Sequence, residues 1–232
     1  MNIVAIDTSG PAASCAVMKD GAVVQLTVMN HGLTHSETIM PVLEQAMRAA
    51  GLSCAEVDVF AAVAGPGSFT GVRIGVCAVK GLAHAWDRPC AHVDALEALS
   101  MNFYGFDGLA CPILDARRGQ VYCAAFDMRA GLPQRVMDDG AMDLRAFVEG
   151  LPRDRRIVFL GDGLRVHASA LRELLPEALI APANLQDLHA DAACVLAAAR
   201  PETWIEARLL TPVYLRAPQA ERERERRIRK GI

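Results

Sequence analysis

Apolar residues along this chain fall into short blocks of strand length and longer blocks of helical spacing. Ile3 to Thr8 is an apolar run suited to a central strand. Ala12 to Met18 repeats the signal, and Lys19-Asp20-Gly21 follows as a hairpin turn, because Asp-Gly tolerates positive φ. Ala22 to Met29 then predicts a third strand, antiparallel by the tightness of that turn. Thr34-His35-Ser36-Glu37 matches a capping box and predicts a helix to about Ala50, stopped by Gly51. Val57 to Ala64 reads as a strand, Thr70 to Trp86 as a helix, and Cys90 to Val93 as a strand after Pro89.

The second half restates the order. Leu109 to Leu114 is a strand closed by Asp115, Arg117-Arg118-Gly119 a turn, and Gln120 to Phe126 a returning strand. A third strand is expected at Gln134 to Met137, a helix at Leu144 to Gly150, and a strand at Ile157 to Leu160. Helices at Val166–Leu175 and His189–Ala199 flank a short strand at Leu179–Ile180. Each half thus reads β-β-β-α-β-α-β or close to it, with no residue-level repeat. This is the ribonuclease-H-like order, a meander extended by parallel crossovers. The expected fold is therefore α/β and duplicated, with two actin-like lobes, residues 1–105 and 106–232, each a mixed sheet flanked by helices.

Composition narrows the class. Hydrophobic residues make up 52% and charged residues 22%, so a chain of 232 residues can bury a proper core and disorder is not expected. The start reaches Asp7 at once, unlike a signal peptide, and no apolar run approaches the ~20 residues that cross a bilayer. Seven scattered cysteines without a C-x-x-C pair fit reduced thiols in the cytosol rather than disulfides or a zinc site. The net charge of −3 argues against a surface coated for nucleic acid. Residues 221–230 nevertheless carry +3, which suits a solvated helix with i,i+4 pairs or, more sharply, an RNA-contacting arm.

Candidate chemistry is sparse. His31 and His35 have H-x-x-x-H spacing, but a helix starting after Thr34 leaves His31 outside it, so a surface loop is expected rather than a metal site. Gly161-Asp162-Gly163 after an apolar strand fits a tight turn better than an adenosine pocket. The first predicted helix carries Ile39, Met40, Val42, Leu43, Ala46, Met47 and Ala50, too wide a set for one buried stripe, and Pro41 is expected to kink it. The second has Gly71, Gly75 and Ala78 at small-residue spacing, with Val72, Val76, Val79 and Leu82 left to serve the sheet. Together these predict a helix-on-helix partner surface formed by Ile39, Met40, Leu43, Met47, Gly71, Gly75, Ala78 and Leu82.

Three segments carry a family resemblance. Asn2 to Ser9 (NIVAIDTS), Ala64 to Gly75 (AGPGSFTGVRIG) and the Pro-x-Tyr-Leu-Arg run Pro212 to Arg216 together resemble the TsaB (YeaZ) family of bacterial tRNA-modification proteins, over nearly the whole chain. The resemblance implies a cytoplasmic, non-catalytic actin-like subunit. Its assembly would transfer threonylcarbamoyl from threonylcarbamoyl-AMP to the adenosine 3′ of the tRNA anticodon. TsaD would hold the active site, the ATPase TsaE would dock near their interface, and the chain would pair with itself when TsaD is absent. Contact with tRNA would be indirect, with no membrane. In actin-like proteins the positions of Asp7 and Asp115 hold a metal–phosphate assembly. Here Thr8, Ser9 and Pro11 in one turn, and the lack of Gly-Gly in the other, point to a degenerate cleft with at most weak ATP or ADP binding near Gly161 and Gly163. TsaD binds metal through a His-x-x-x-His pair, and Ala95 and Leu99 stand in those places, so no metal and no peptidase chemistry are implied. The alternative is an ATP-dependent small-molecule kinase or phosphotransferase of the same fold.

Overall fold

The computed structural model describes residues 1–30, 32 and 34–216. Among them, ten strands form two five-stranded mixed sheets. In the first, β1 (Ile3–Asp7), β2 (Ala13–Lys19), β3 (Ala22–Met29), β4 (Val59–Val63) and β5 (Cys90–Val93) lie in the order β3-β2-β1-β4-β5. The second holds β6 (Leu109–Asp115), β7 (Gln120–Asp127), β8 (Gln134–Asp143), β9 (Ile157–Leu160) and β10 (Leu179–Ile180), ordered β10-β9-β6-β7-β8. Matching β1 to β6, β2 to β7 and so on makes the two orders identical. In each sheet the first strand pairs antiparallel with the second and parallel with the fourth. The duplicated, ribonuclease-H-like architecture expected from the element order is the one present.

Strand periodicity divides the core. Val4 and Ile6 of β1 pack beneath α1 (His35–Ala50) and α2 (Phe69–Ala85), while Ile3 and Ala5 point to the other face. That face is covered by α3 (Ala95–Ser100) and α6 (Ala190–Ala199), and its core runs on without a break into the second lobe. There α4 (Leu144–Gly150) and α5 (Leu164–Leu174) complete the fold. A division at residue 105 would assign α6 to the second lobe. Its contacts lie on β1, β2 and β4, and its first amide, Ala190 N–H, donates to the buried Ser14 hydroxyl at 3.0 Å.

Several local expectations are corrected. Thr34 is the N-cap of α1, but its side chain makes no capping bond, so the expected box there is not formed. A complete box sits at Ser53, whose amide and hydroxyl both donate to Glu56 Oε2, at 2.9 and 2.6 Å. It opens a short 3-10 turn that delays β4 to Val59. Helix α3, not foreseen, is nucleated by Asp94, whose Oδ1 accepts from the Glu97 amide at 2.7 Å. Strand β8 continues to Asp143, because β7 offers it a partner along its full length. Helix α1 passes the exposed Pro41 as one helical run, so the expected kink does not interrupt it.

Candidate functional site

The hairpin turn after β1 is locked to the start of α2. Ser68 N–H donates to the Ser9 carbonyl at 2.8 Å, and Thr8 Oγ1 donates to the Gly71 carbonyl at 2.7 Å. The glycines permit this approach. A Cβ on Gly67 would lie 2.4 Å from Ser9 O, one on Gly71 2.1 Å from Thr8 O, and one on Gly75 2.5 Å from Thr8 Oγ1. Gly71 N–H is itself held by the Ser68 hydroxyl at 3.2 Å. Two of the amides near this helix start, those of Ser68 and Gly71, therefore already have partners inside the protein.

Asp7 is sealed under that turn. It is 1% exposed, its Oδ1 accepts from the amide and hydroxyl of Ser9 at 2.8 and 2.7 Å, and its Oδ2 has no partner. Burial pushes the carboxyl up to about 6, against the lowering effect of the Ser9 bonds and of His35. His35 lies beside it, with Nε2 2.9 Å from the Gly10 carbonyl. Asp187 adds a second nearby negative charge while its carboxylate pairs with Arg165 at 2.7 Å. Neither His35 in this role nor Asp187 was foreseen, because each reaches the cleft from a distant part of the chain.

The second lobe's half is more open. Asp115 accepts from the Arg117 amide at 2.7 Å, and its own amide donates to Asp162 Oδ1 at 3.0 Å. Burial raises the Asp162 carboxyl above its ordinary value. Gly161 and Gly163 serve the packing of the β9 exit: their Cβ atoms would lie 2.1 and 2.9 Å from the Ile113 carbonyl, and Gly161 has φ +108°. Asp187 is the link between the two turns, its charge raising both the Asp7 and the Asp162 carboxyl.

The expected partner face is redistributed. Ile39, Leu43 and Met47 are buried against the first sheet, so the apolar width of α1 is spent inside the chain. Of the α1 residues expected at the interface, only Met40 is exposed, at 47%. Gly71 and Gly75 face Thr8, and Ala78 and Leu82 are half-buried at the edge of the core. The exposed residues of α2 are Thr70, Arg73, Cys77, Gly81, His84 and Ala85, with Ile74 half-buried among them. A Cβ on Gly81 would meet nothing within 4 Å. Phe69, Thr70, Arg73, Ile74 and Cys77 line a recess of about 290 Å³ at its N-terminal end.

The chain between Ile205 and Arg216 straps this helix start. Val213 N–H donates to the Ala64 carbonyl at 2.7 Å, and Tyr214 stacks on Phe69 with ring centroids 4.5 Å apart. Arg73 lies 4.0 Å above the Phe69 ring and donates to the Tyr214 hydroxyl at 2.8 Å. Arg216 crosses to the second lobe and donates to the Ala116 carbonyl at 2.7 Å.

Ala95 and Leu99 are buried in α3, and among the described residues no three His, Cys, Asp or Glu side chains are placed to hold a metal ion. All seven cysteines are free. Burial pushes the thiols of Cys15 and Cys123 up to about 12 and that of Cys90 to about 11, whereas Cys77 is exposed on α2. His31 and the charged run 221–230 lie outside the described residues. None of the described helices is long and apolar enough to cross a membrane.

Comparison with known proteins places this geometry. The family profile of TsaD, tRNA N6-adenosine threonylcarbamoyltransferase, matches residues 32–222. The tRNA threonylcarbamoyladenosine biosynthesis protein TsaB of Bacillus subtilis is 35% identical over 176 residues, 75% of this chain and 77% of that protein. Escherichia coli TsaB is 34% identical over 132 residues, 54% of this chain and 55% of its own length. The solved structure of YeaZ from Pseudomonas aeruginosa is 28% identical, with a TM-score of 0.80 over 92% of this chain and 99% of that one. The chain belongs to the TsaB (YeaZ) family of tRNA threonylcarbamoyladenosine biosynthesis proteins.

Proposed function

We propose that this chain is the non-catalytic, cytoplasmic subunit of a tRNA threonylcarbamoyltransferase assembly, and that it works by pairing with TsaD through the outer face of α2 beside Met40 of α1. TsaD supplies the reacting groups and moves threonylcarbamoyl from threonylcarbamoyl-AMP to the adenosine 3′ of the anticodon. TsaE docks near the shared interface, tRNA is reached through TsaD, and a second copy of this chain takes the same face when TsaD is absent. The observation that carries this reading is the outer face itself. Thr70, Cys77, Gly81 and Ala85 are small and uncharged, they are exposed, and they lie on one helix whose inner face is already committed to the core. Small residues in that position let a partner helix approach closely.

The cleft supports the same reading from the other side. Ser68 N–H and Gly71 N–H are engaged within the chain, and the hydroxyl of Thr8 is donated to Gly71, so these three donors are withheld from a phosphate. No nucleotide or metal step is assigned to this chain. The test is sedimentation of the purified chain mixed with TsaD, for wild type and Gly81→Arg. The variant places a long charged side chain at the centre of the face and should weaken pairing about 100-fold, equivalent to about 3 kcal/mol. Its melting temperature should not fall below the wild-type value, since nothing in the lone chain occupies that space and arginine suits a helix interior better than glycine. Undiminished pairing and tRNA modification by Gly81→Arg would remove the face from the mechanism.

A further inference from the structure

A second concavity lies at the opposite end of β9 from the acidic cleft. Strand β9 ends at Leu160 beside Gly161, whereas its first residue, Ile157, opens into a cavity of about 400 Å³ between the 153–157 segment and the 175–179 segment. That volume falls in the range of small-ligand sites, roughly 300–1,000 Å³. Its apolar floor is made by Ile157 and Leu175, both buried. Leu179 of the edge strand β10 forms a wall and is 43% exposed.

Three arginines stand on the rim, and they are not equivalent. Arg155 is tied to Asp127 at 2.7 Å, with Asp154 at 3.7 Å from its Nε. Arg153 donates through Nη2 to the Val148 carbonyl at 2.9 Å, and Arg156 lies 5.1 Å from the Phe106 ring centroid. Among the described residues neither Arg153 nor Arg156 is paired with a carboxylate. Both side chains therefore have neutral partners, and Asp154, which also lines the cavity, pairs with Arg155 rather than with them. Glu177 lies on the opposite rim.

An apolar slot beside two guanidinium groups that no carboxylate engages among the described residues suits a flat apolar group that carries an anion. Arginine binds phosphate oxygens through paired N–H donors, and a carboxylate accepts from sugar hydroxyls. We propose that this cavity is a nucleotide-phosphate site: Ile157, Leu175 and Leu179 receive the base, Arg153 and Arg156 the phosphate, and Glu177 a ribose hydroxyl. The ligand is a nucleoside 5′-monophosphate, either free or as one residue of an RNA chain. The site is separate from the Asp7–Asp162 cleft and does not depend on the helix-face reading, because the cavity and the outer face of α2 share no residue.

The test is titration of the full chain with AMP, adenosine and inorganic phosphate, with a tRNA transcript as competitor, followed by hydrogen exchange. AMP should bind at least tenfold more tightly than adenosine or phosphate, and it should slow exchange in segments 153–157 and 175–179. Arg153→Gln with Arg156→Gln should weaken AMP at least tenfold at an unchanged melting temperature. Arg153→Lys with Arg156→Lys, which keeps the charge but loses the fork, should fall between. A transcript that displaces AMP, or that alone loses affinity in the glutamine double variant, assigns the site to RNA; a transcript that does neither assigns it to the free nucleotide. The proposal is overturned if AMP binds no better than adenosine while the transcript is indifferent to the double variant. Slowed exchange confined to residues 161–163, which would put the ligand in the cleft, overturns it equally.

Discussion

The same junction occurs once in each lobe, and the two copies agree inside and differ outside. In the first lobe, the chain leaving β4 enters α2 and packs on the Thr8 carbonyl through Gly71. In the second, the chain leaving β9 enters α5 and packs on the Ile113 carbonyl through Gly161 and Gly163. Glycine is needed at both for one reason: a backbone carbonyl near the end of the lobe's first strand, Ile113 within β6 or Thr8 just past β1, occupies the place of a Cβ. The helices that follow face different surroundings. Exposed α5 residues include Arg165, Arg172 and Glu173 beside Val166, whereas the exposed α2 residues are Thr70, Arg73, Cys77, Gly81, His84 and Ala85, with one arginine among mostly small side chains. The two junctions share the inner contact and differ in the outer face.

The inner contact should be the most sensitive. Gly71→Val and Gly161→Val each force a side chain into a carbonyl about 2.1 Å away, and at Gly161 the φ of +108° adds strain. Either substitution should cost more than about 3 kcal/mol or prevent folding, as read by chemical denaturation. Leu43→Glu belongs with them: it buries an unpaired carboxylate at a position 3% exposed, so the lone chain loses stability before pairing is at issue. Normal stability for Gly71→Val would mean that the junction is not as tight as its geometry.

The next effect distinguishes the lobes by pH. The Asp7 carboxyl stands at about 6 in the folded chain, against about 3.9 for an ordinary aspartate in the unfolded chain. The folded state therefore holds its proton longer. The carboxyl costs nothing below about pH 4, becomes destabilising as pH rises from about 4 to about 6, and contributes a constant penalty of about 3 kcal/mol above that. Asp7→Asn keeps an oxygen for the Ser9 donors and removes the titration. Its urea midpoint should match wild type near pH 4 and exceed it at pH 7. Parallel curves for the two proteins would show that Asp7 titrates as an ordinary carboxylate.

These residues also show how far the sequence is legible. The strand order could be read because β1, β4, β6 and β9 are compact apolar runs and Asp20-Gly21 turns between β2 and β3. Helix α3 carries a readable signal, an acidic cap at Asp94 followed by Glu97, in the same stretch as Ala95 and Leu99. The partner face was harder. The i,i+4 pair Gly71 and Gly75 says that something approaches closely, and the sequence does not say whether it is another helix or the Thr8 turn. Ile39, Val42, Leu43, Ala46 and Met47 have the spacing of one buried stripe, and Met40 alone of the expected contacts stands off it. Asp187 and His35 reach the cleft by tertiary folding, which no local pattern encodes.

A smaller effect tests whether the strap belongs to the first junction. Tyr214→Ala removes the stack on Phe69 and leaves Arg73 without its hydroxyl acceptor. The loss should be about 1–2 kcal/mol, given that aromatic pairs contribute about 0.5–1.5 kcal/mol beyond their buried area. Tyr214→Phe keeps the stack and should cost less. If the phenylalanine variant were as unstable as the alanine one, the hydroxyl rather than the ring would hold the strap.

The smallest expected effect has the opposite sign and lies on the same helix as Gly71. Gly81 sits in the interior of α2 on its exposed face, where an added Cβ meets nothing within 4 Å. In an exposed helix interior, alanine is favoured over glycine by roughly 0.5–1 kcal/mol, because the unfolded chain loses freedom and the helical backbone is better shielded. Gly81→Ala should therefore stabilise the isolated chain slightly, while Gly75→Ala, about 9 Å away along the helix by the ~1.5 Å rise per residue, should destabilise it against Thr8 Oγ1. A glycine that lowers the stability of its own helix needs another reason to be there. Close approach of a partner helix is such a reason, and it predicts that Gly81→Ala weakens pairing with TsaD while raising the melting temperature. If the alanine variant melts later and pairs as tightly as wild type, the partner does not approach the helix backbone at Gly81, and the contact shifts to Met40 and the recess at Phe69 and Ile74.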